Sequence, residues 1–487
     1  PEFREYERFS TTVVNAYLGP VMKGYLQRLQ PRLAQIGVDA RVHLTQSNGG
    51  VISSRSAQRF PARTLLSGPA AGVTGAIALS RLSGFDNLIT FDMGGTSTDA
   101  CLIEKGTPRI TNDAVVHGYP LKLPMLDIHT VGAGGGSIAY LDAGGLLKVG
   151  PRSAGADPGP ICYGRGNQEP TVTDANVVLQ VLNPTSLLKG RLPIHQEMAR
   201  KAIERLAERL GLDIMTTAQG IVDVVVANMT KAIRVVSVER GYDPRDYVMF
   251  AFGGAGPIHA ARLARALDIP QVVVPKFPGI MCALGLLVAD LRTNLSLTRV
   301  QPLAVEQCDG VDRGFADLER RVEAWFEQEA IEPARRVVTR SLDMRYGGQG
   351  YELSIPCPAG TIGEAAIASL RERFEEAHRQ AYGYASEDEP IQVVTLRIEA
   401  VGLVPKAEFR LHPIASDRAS VAITGTRQVW LPEAGGFTNC SIYERDRLAH
   451  GHSITGPAIV EQMDSTTLIL PGQIATVDPY GNLIIGQ

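Results

Sequence analysis

Two aspartates flank a turn of glycines and hydroxyl residues in segment 88–103. Asp92 ends one apolar run and Asp99 opens the next. Glycine permits backbone geometries that let peptide N–H groups approach an anion, and hydroxyl groups add further donors. Carboxylates at both ends suit a hydrated Mg²⁺ ion that neutralises nucleotide phosphates. The pattern predicts a phosphate-binding loop, with an ordinary Gly-Gly hairpin as the alternative. The predicted phosphate-binding residues are Gly94, Gly95, Thr96, Ser97 and Thr98.

A second glycine turn follows the apolar run 247–252. The pattern predicts a strand, a turn with Gly253, Gly254 and Gly256, a helix and a further strand at 272–275, which form a βαβ unit. A dinucleotide-binding turn would carry a third glycine where this chain has His259, and the P-loop signature is absent from the sequence. The three glycines are therefore predicted to let a nucleotide approach the turn without a Rossmann site or a P-loop.

A third candidate site lies in segment 127–137, where four of the five residues 132–136 are glycine. Such density predicts backbone that approaches a ligand closely. Asp127 and His129 are two residues apart, so on a strand they share one face. Together with His259 they are a candidate site for substrate or for a second divalent metal such as Zn²⁺, and a buried histidine with an aspartate partner is the alternative.

Composition limits the class of protein. The chain has 487 residues, which predicts two or three domains, and its 48 Lys and Arg against 51 Asp and Glu give a net charge of −3. Nucleic acid is an unexpected partner because that binding needs clustered cations. Apolar runs are shorter than a membrane span requires, and the six cysteines are widely scattered. We therefore expect a cytoplasmic protein with reduced thiols and no membrane partner.

The order of patterns along the chain predicts three consecutive segments. Residues 1–85 form the remainder of a first lobe with a connecting helix, 86–295 a nucleotide-binding lobe, and 296–487 a C-terminal α+β domain. In the connecting helix, apolar residues from Val13 to Leu29 recur at spacings of three and four, which predicts a core-facing stripe. Because the first residue is Pro1, we expect the chain to begin inside a longer gene product.

Several motifs together resemble those of the hydantoinase A/oxoprolinase family. They run in order along nearly the whole chain, at residues 91–99, 127–137, 153–160, 251–257, 278–287, 344–352 and 464–467. The hairpin loop and the later strand with its Gly-Gly turn are also the layout of the actin-like ATPase fold. The resemblance therefore implies α/β architecture, with actin-like (ribonuclease H-like) lobes followed by an α+β C-terminal domain.

The resemblance implies an activity. Such a subunit binds ATP and Mg²⁺, uses Asp92 and Asp99 in catalysis, and phosphorylates an amide, lactam or enolate oxygen together with a hydantoinase B-type subunit. Family members open hydantoins or 5-oxoproline, and relatives carboxylate ketones, so a cyclic amide hydrolase is expected and a ketone carboxylase is the alternative. A small-molecule kinase on the same fold and a non-catalytic nucleotide-gated module are the other hypotheses.

The chain departs from the family pattern in two respects. Family members carry an earlier Asp-x-Gly-Gly-Thr loop that contacts the phosphates from the other side, whereas this sequence has a single such loop. We expect about two hundred further residues upstream in the complete protein. Cys282 occupies a position where relatives more often have Ser, a small change with an expected structural role.

Overall fold

A computed structural model of the chain describes residues 4–116, 118–386 and 388–486. Helices and strands alternate along much of it. The helices are α1 (Glu5–Gln35), α2 (Ser54–Arg59), α3 (Ser67–Leu82), α4 (Val172–Val178), α5 (Gln196–Leu210), α6 (Ile214–Val236), α7 (Gly256–Ala266), α8 (Met281–Leu286), α9 (Cys308–Gln328) and α10 (Glu364–Tyr382).

The strands vary in length from two to twelve residues. They are β1 (His43–Thr45), β2 (Val51–Ser53), β3 (Leu88–Met93), β4 (Thr98–Glu104), β5 (Thr107–Pro108), β6 (Ile110–Thr111), β7 (Ala114–Val116), β8 (Tyr119–Leu121), β9 (Met125–Leu126), β10 (Ile128–Val131), β11 (Ser137–Leu141), β12 (Leu147–Ser153), β13 (Ser186–Leu187), β14 (Leu192–Pro193), β15 (Val248–Phe252), β16 (Gln271–Val274), β17 (Leu291–Pro302), β18 (Arg336–Tyr346), β19 (Leu353–Cys357), β20 (Ile391–Gly402), β21 (Ile423–Leu431), β22 (Gly436–Glu444), β23 (Ser453–Thr455), β24 (Ala458–Glu461), β25 (Thr466–Ile469), β26 (Ile474–Val477) and β27 (Leu483–Gly486).

The chain divides into two compact units that interleave in sequence. The first unit is Pro1–Ala71, Ile110–Leu126 and Leu286–Ala407, and the second is Gly72–Arg109, Asp127–Gly285 and Glu408–Gln487. These units cut across the three consecutive segments predicted from the sequence, because residues 408–487 supply strands to the second unit. Such pairing between distant segments leaves no local signal in the sequence.

The first unit is built on a six-stranded sheet with the order β1-β2-β17-β20-β18-β19. The long strands β17 and β18 both pair antiparallel with β20. Helix α9 buries Val311, Phe315, Leu318, Val322 and Phe326, which recur at the three-and-four spacing of one helix face. These side chains pack with buried residues of β18 and β20 and of α10 in a single hydrophobic core.

Helix α1 differs from the prediction of a core-facing stripe. Of its residues only Leu26 is buried, where it packs with Ile52 and Ala57. Tyr17 and Val21 are exposed over 78% and 71% of their surfaces. The predicted apolar positions occupy a wide arc of the helix, and only the side that includes Leu26 contacts the rest of the first unit. The prediction of a helix was correct, whereas the prediction that the whole stripe is core was wrong.

The second unit contains a mixed sheet with the order β10-β4-β3-β15-β16-β27-β26-β23, and β5 pairs with β4 at its side. Strands β3, β4 and β10 form an antiparallel meander, and β15 and β16 extend it in parallel with β3. This is the strand order of a ribonuclease H-like lobe, so the predicted α/β fold is confirmed. Every residue of β15 is buried, as expected for a central parallel strand.

Local sequence fixes the helices beside this sheet. Helix α4 begins with a capping box, in which the Thr171 side chain accepts from the Asp174 N–H and Asp174 accepts in return from the Thr171 N–H. Helix α6 is capped by Asp213, which accepts from the Thr216 N–H at 2.9 Å. No helix in the described part of the chain combines the length and apolar character that a membrane crossing requires.

Candidate active site

Asp92 and Asp99 are directly paired residues of the β3–β4 hairpin. Directly opposite side chains of an antiparallel pair lie on the same face of the sheet, so the two carboxylates are neighbours. The Gly94 N–H donates to the Ser97 carbonyl at 3.1 Å and closes the turn between them. Both aspartates are half-buried. The hairpin therefore presents two partly desolvated carboxylates beside a glycine turn.

The environment of these carboxylates disfavours two negative charges. Burial and, to a smaller extent, the charge of Asp99 raise the pKa of Asp92 to about 6, and a hydrogen bond from Cys282 opposes the shift. Burial also raises the pKa of Asp99, and a hydrogen bond from Thr130 opposes that shift. The Cys282 Sγ lies 3.6 Å from Asp92 Oδ2. A divalent cation near the pair would compensate both charges.

Part of the backbone of the loop between the aspartates is not covered by neighbouring atoms. A Cβ atom added at Gly94 or Gly95 would meet no atom within 4 Å. In the described part of the chain, the N–H groups of Gly95 and Thr96 have no acceptor, whereas that of Gly94 is used in the turn. Thr96 is exposed. Gly95 and Thr96 are thus the loop residues whose backbone donors are available to an anion.

Thr98 does not have the role predicted for it. Its side chain is fully buried, and its hydroxyl donates to the Ala133 carbonyl at 2.5 Å. The alternation of a β-strand explains this orientation, because Thr98 precedes Asp99 and points to the opposite face. Ser97 contributes its carbonyl to the turn. The part of the loop that is free to contact a ligand is therefore shorter than predicted.

The cluster of glycines near residue 134 supports this loop from behind. The Gly135 N–H donates to Gly94 O at 3.0 Å, and the Gly136 N–H donates to Gly95 O at 2.6 Å. A Cβ atom at Gly134 would lie 2.6 Å from the Thr96 backbone. Close packing of two backbones thus explains much of the glycine density that was predicted to approach a ligand.

The second glycine turn lies at the same edge of the sheet as the hairpin loop. Strands β3 and β15 are parallel, with Phe252 paired with Asp92. The Ala255 N–H donates to Met93 O at 3.0 Å, which joins the start of α7 to the hairpin. Gly253 has φ +78°, and a Cβ atom there would lie 2.3 Å from Met93 O. The structure therefore brings the two predicted glycine turns together.

Both turns line one cavity of about 580 Å³, which we call the glycine-lined cavity. Its volume is within the range typical of small-molecule sites. Gly94, Gly95, Thr96, Gly254 and Ala255 line it, whereas Gly253 and Gly256 support the turn without lining the cavity. Other lining residues are Gly135, Gly136, Gly155, Ala156, Pro160, Tyr163, Arg165, Thr173, Asn176, Leu182, Leu187, Leu188, Leu192, Ile258, His259, Gln462, Met463, Asp464, Ser465 and Thr466.

Several polar atoms along this cavity are buried without a hydrogen-bond partner among the residues that the structure describes. They include both ring nitrogens of His259, Asn176 Oδ1, Gln462 Oε1 and Ser465 Oγ. Burial and, to a smaller extent, the charge of Arg262 lower the pKa of His259 to about 3, so the ring is neutral near pH 7. Buried polar groups are normally paired, so these atoms indicate a polar ligand in the cavity. The sequence indicated no role for Asn176, or for Ser465 within the 464–467 motif, because the contacts that bring them to the cavity are between distant segments.

Asp464 is a cavity-lining carboxylate that the sequence assigned to a family motif without giving it a role. Its Oδ2 accepts from the Gly279 N–H at 2.8 Å, and its Oδ1 accepts from the Gln462 amide at 2.6 Å. A Cβ atom at Gly279 would lie 2.7 Å from Asp464 Cβ. The small residue at 279 and the amide at 462 therefore fix the position of this carboxylate.

The metal site predicted from Asp127, His129 and His259 is not assembled. Asp127 Oδ1 accepts from Arg240 Nη2 at 2.9 Å, and Asp127 Oδ2 lies 3.6 Å from Arg109 Nε. Within the described ranges, no group of three or more His, Cys, Asp or Glu residues is arranged to hold a metal ion. The physical reason is that Asp127 neutralises two arginines, and its oxygens are occupied by them.

Comparison with known proteins gives matches along nearly the whole chain. The family model for hydantoinase/oxoprolinase matches residues 8–295, and that for the hydantoinase/oxoprolinase C-terminal domain matches residues 301–483. The chain is 39% identical to the uncharacterized protein MJ0964 of Methanocaldococcus jannaschii, with coverage of 100% of this chain and 71% of that relative. It is 35% identical to caprolactamase subunit alpha of Pseudomonas jessenii, over 98% of this chain and 69% of that subunit.

Solved structures agree with the sequence comparison. The crystal structure of ATP-dependent caprolactamase from Pseudomonas jessenii superposes with a TM-score of 0.90 at 33% identity, over 100% of this chain and 71% of that chain. The nucleotide-free structure of acetone carboxylase superposes with a TM-score of 0.79 at 25% identity, over 99% of this chain and 69% of that chain. The chain therefore belongs to the hydantoinase/oxoprolinase family.

Proposed function

We propose that this chain binds ATP with Mg²⁺ in the glycine-lined cavity and activates the carbonyl oxygen of a cyclic amide. The observation that carries the proposal is the pairing of Asp92 with Asp99 beside the open backbone of Gly94 and Gly95. Neighbouring carboxylates attract a hydrated divalent cation, and free N–H groups attract phosphate oxygens. A nucleoside triphosphate complexed with a metal ion needs both carboxylates for the cation and N–H donors for the phosphates.

The rest of the cavity suits the nucleoside. Asn176, His259 and Ser465 carry buried polar atoms without partners, and leucines 182, 187, 188 and 192 line the same space. Sites for small molecules commonly combine an apolar lining with a few polar groups that fix orientation. We infer that the base and ribose lie among these residues while the phosphates lie at the hairpin loop.

The proposed chemistry gives the residues distinct tasks. Phosphoryl transfer breaks the bond between the γ-phosphorus and the bridging oxygen of ATP, forms a bond to the amide oxygen and leaves ADP. Attack by one water on the amide carbon then breaks the ring C–N bond, with the proton going to the leaving nitrogen, and a second water hydrolyses the resulting acyl phosphate to a carboxylate and phosphate. Asp92 and Asp99 would hold water ligands of the metal, and bound Mg²⁺ would neutralise phosphate charge. The N–H groups of Gly95 and Thr96 would orient the phosphates.

We propose that the chain works with a second, hydantoinase B-type subunit. Some of the relatives are named as subunits, among them caprolactamase subunit alpha and the acetophenone carboxylase gamma subunit. ATP is made in the cytoplasm, and all six cysteines are free thiols, so we also propose a cytoplasmic location.

A second candidate function is ATP-dependent ketone carboxylation. It is favoured by the 34% identity to the acetophenone carboxylase gamma subunit of Aromatoleum aromaticum, over 99% of this chain and 67% of that subunit. In that reaction the activated oxygen would be that of an enolate. The same carboxylate pair and glycine loop would serve both reactions, because each begins with phosphoryl transfer to oxygen.

Substrate-dependent ADP release distinguishes these functions. The complete protein and its co-expressed partner would be assayed with caprolactam, hydantoin, N-methylhydantoin, 5-oxoproline, and acetone or acetophenone with bicarbonate. Stimulation by one cyclic amide supports the first proposal, and stimulation by a ketone only with bicarbonate supports the second. A stable phosphorylated product without a second subunit would instead indicate a small-molecule kinase, and flat ADP release would contradict both proposals.

A further inference from the structure

The first unit contains a separate cavity of about 730 Å³, which we call the cationic cavity. Residues of α1, of the segment between α2 and α3, of 110–124, and of β17, β18, β19 and β20 line it. All of these belong to the first unit. The volume is within the range of ligand sites, and the function proposed above does not use this cavity.

Charged side chains in the lining of this cavity are mostly basic. The basic residues are Arg8, Arg63, Lys122, Arg340 and Arg397, and the acidic residue among the described lining is Glu399. Glu399 Oε1 is already paired with Arg292 Nη1 at 3.2 Å. Basic side chains thus outnumber acidic ones in the lining, and the net charge of the cavity depends on how each is compensated.

Most of the other basic residues have carboxylate partners outside the lining. Lys122 Nζ lies 2.7 Å from Asp113 Oδ1, Arg340 Nη2 lies 2.5 Å from Glu319 Oε1, and Arg397 Nη2 lies 2.7 Å from Asp343 Oδ2. These ion pairs fix the side chains in place.

Arg63 is compensated poorly by the protein. Its guanidinium makes two long hydrogen bonds, 3.5 Å to Thr293 Oγ1 and 3.4 Å to the Asn294 carbonyl, and it lies 4.9 Å from the centre of the Phe60 ring. Within the described residues, no carboxylate lies at ion-pair distance from it. Burial lowers the pKa of Arg63. A partly buried guanidinium without a carboxylate partner is costly, so the position is suited to an anionic ligand.

The other lining residues indicate the chemical character of the rest of that ligand. Phe60, Leu123, Leu295 and Ile398 supply apolar surface, and Asn15 supplies an amide. Apolar side chains beside the guanidinium of Arg63 fit a carboxylate attached to a hydrocarbon body better than an inorganic ion. The planar guanidinium matches a carboxylate with two parallel hydrogen bonds.

We propose that the cationic cavity is a binding site for a small organic carboxylate, with Arg63 as the residue that holds the carboxylate group. The proposal is independent of the nucleotide site, because it uses none of the residues of the second unit. Arg63 acts here as a binding residue, and nothing in the proposal requires it for phosphoryl transfer.

Calorimetric titration of the complete protein tests the proposal, with hexanoate as the probe and hexanamide as its neutral counterpart. Hexanoate is expected to bind saturably and hexanamide at least about tenfold more weakly. The variant Arg63→Gln should weaken hexanoate binding by at least about tenfold. The matched control is Arg59→Gln, because Arg59 also lies over the Phe60 ring, at 5.1 Å, but does not line the cavity.

Each result of this titration either supports or contradicts a carboxylate site at Arg63. Equal binding of hexanoate and hexanamide, or equal binding by wild type and Arg63→Gln, would overturn the proposal. Displacement of hexanoate by inorganic phosphate at the same concentration would overturn the carboxylate class. If Arg63→Gln fails to fold, Arg63→Lys replaces it: weakened hexanoate binding supports the bidentate anchor, and unchanged binding contradicts it.

Discussion

Gly253 lies directly against the carboxylate of Asp92, so that a Cβ atom added at Gly253 would come to 2.5 Å from Asp92 Oδ1. The same atom would lie 2.3 Å from the Met93 carbonyl oxygen, and the residue has φ +78°. Because the nearest atom belongs to backbone, side-chain rotation cannot relieve the contact. The glycine turn after β15 therefore determines where the first aspartate of the hairpin is held.

The variant Gly253→Ala is expected to destabilise the chain by about 3 kcal/mol, from left-handed strain together with the contact at Met93. Nucleotide binding should weaken as well, because Asp92 must move. The matched control is Gly254→Ala, whose Cβ would have its nearest contact at 3.4 Å and whose cost should stay below about 1 kcal/mol. Chemical denaturation measures both values, and equal costs at the two positions would contradict this account.

A second pair of variants separates glycines that face ligand from glycines that face protein. Gly95→Ala places its Cβ in open space, so stability should change by less than about 0.5 kcal/mol, while nucleotide affinity should fall by at least about tenfold as the Cβ crowds the phosphates. Gly134→Ala places its Cβ 2.6 Å from the Thr96 backbone and should cost about 3 kcal/mol of stability.

Nucleotide titration and denaturation of both variants check this pair. Gly95→Ala with wild-type affinity for nucleotide would mean that the loop does not contact the phosphates. Gly134→Ala with wild-type stability would mean that the backbone packing between the two glycine segments is looser than the structure describes.

Asp127→Asn tests whether this aspartate is structural or a metal ligand. Its carboxylate contacts Arg240 and Arg109, so neutralising it should cost about 2 kcal/mol of stability. Glu104→Gln removes one partner of an exposed pair with Lys105, 4.0 Å apart, and should cost less than about 0.5 kcal/mol. Elemental analysis of the wild type and Asp127→Asn should give the same metal content; loss of a bound metal in the variant would reinstate the metal site.

His259 predicts a pH dependence of stability. Burial lowers its pKa from 6.5 to about 3, so between these values the unfolded chain binds a proton that the folded chain does not. The free energy of unfolding is unaffected by the protonation of His259 above pH 6.5, where the ring is neutral in both states. It decreases through this residue as the pH falls from 6.5 toward 3. The largest slope from this group is about 1.4 kcal/mol per pH unit.

The variant His259→Gln should remove that contribution. Denaturation of both proteins between pH 7 and pH 4.5 would give a shallower loss of stability for the variant than for the wild type. Parallel curves for the two proteins would mean that folding does not lower the pKa of His259, and would contradict the effect assigned to its burial.

The sequence predicted the core of the site well where the signal is local. The hairpin of β3 and β4 and the β15–α7–β16 unit lie within a few residues of their predicted positions. Glycine turns and apolar strands leave local patterns that are visible without a structure. The two glycine turns were predicted to belong to one site. They lie at the same edge of the sheet because β3 and β15 are parallel neighbours.

Other features could not be read from the sequence because they depend on distant contacts. The Thr98 hydroxyl turns inward to Ala133, and Asp464 is positioned by Gly279 from nearly two hundred residues away. The apolar stripe of α1 has the spacing of a core helix, yet the exposure of Tyr17 is 78%. Spacing indicates which residues share a face, but it does not identify what covers that face.

The most direct test of the central claim is substrate-stimulated ADP release by the complete protein with its partner, in the wild type and in Asp92→Asn. The asparagine keeps the shape of the side chain but removes the charge that would hold the metal, so release should fall by at least about a hundredfold. The unfolding midpoint should stay near that of the wild type, because burial already opposes the charge of Asp92. Near-normal ADP release by Asp92→Asn would contradict the assignment of this aspartate pair to the nucleotide site.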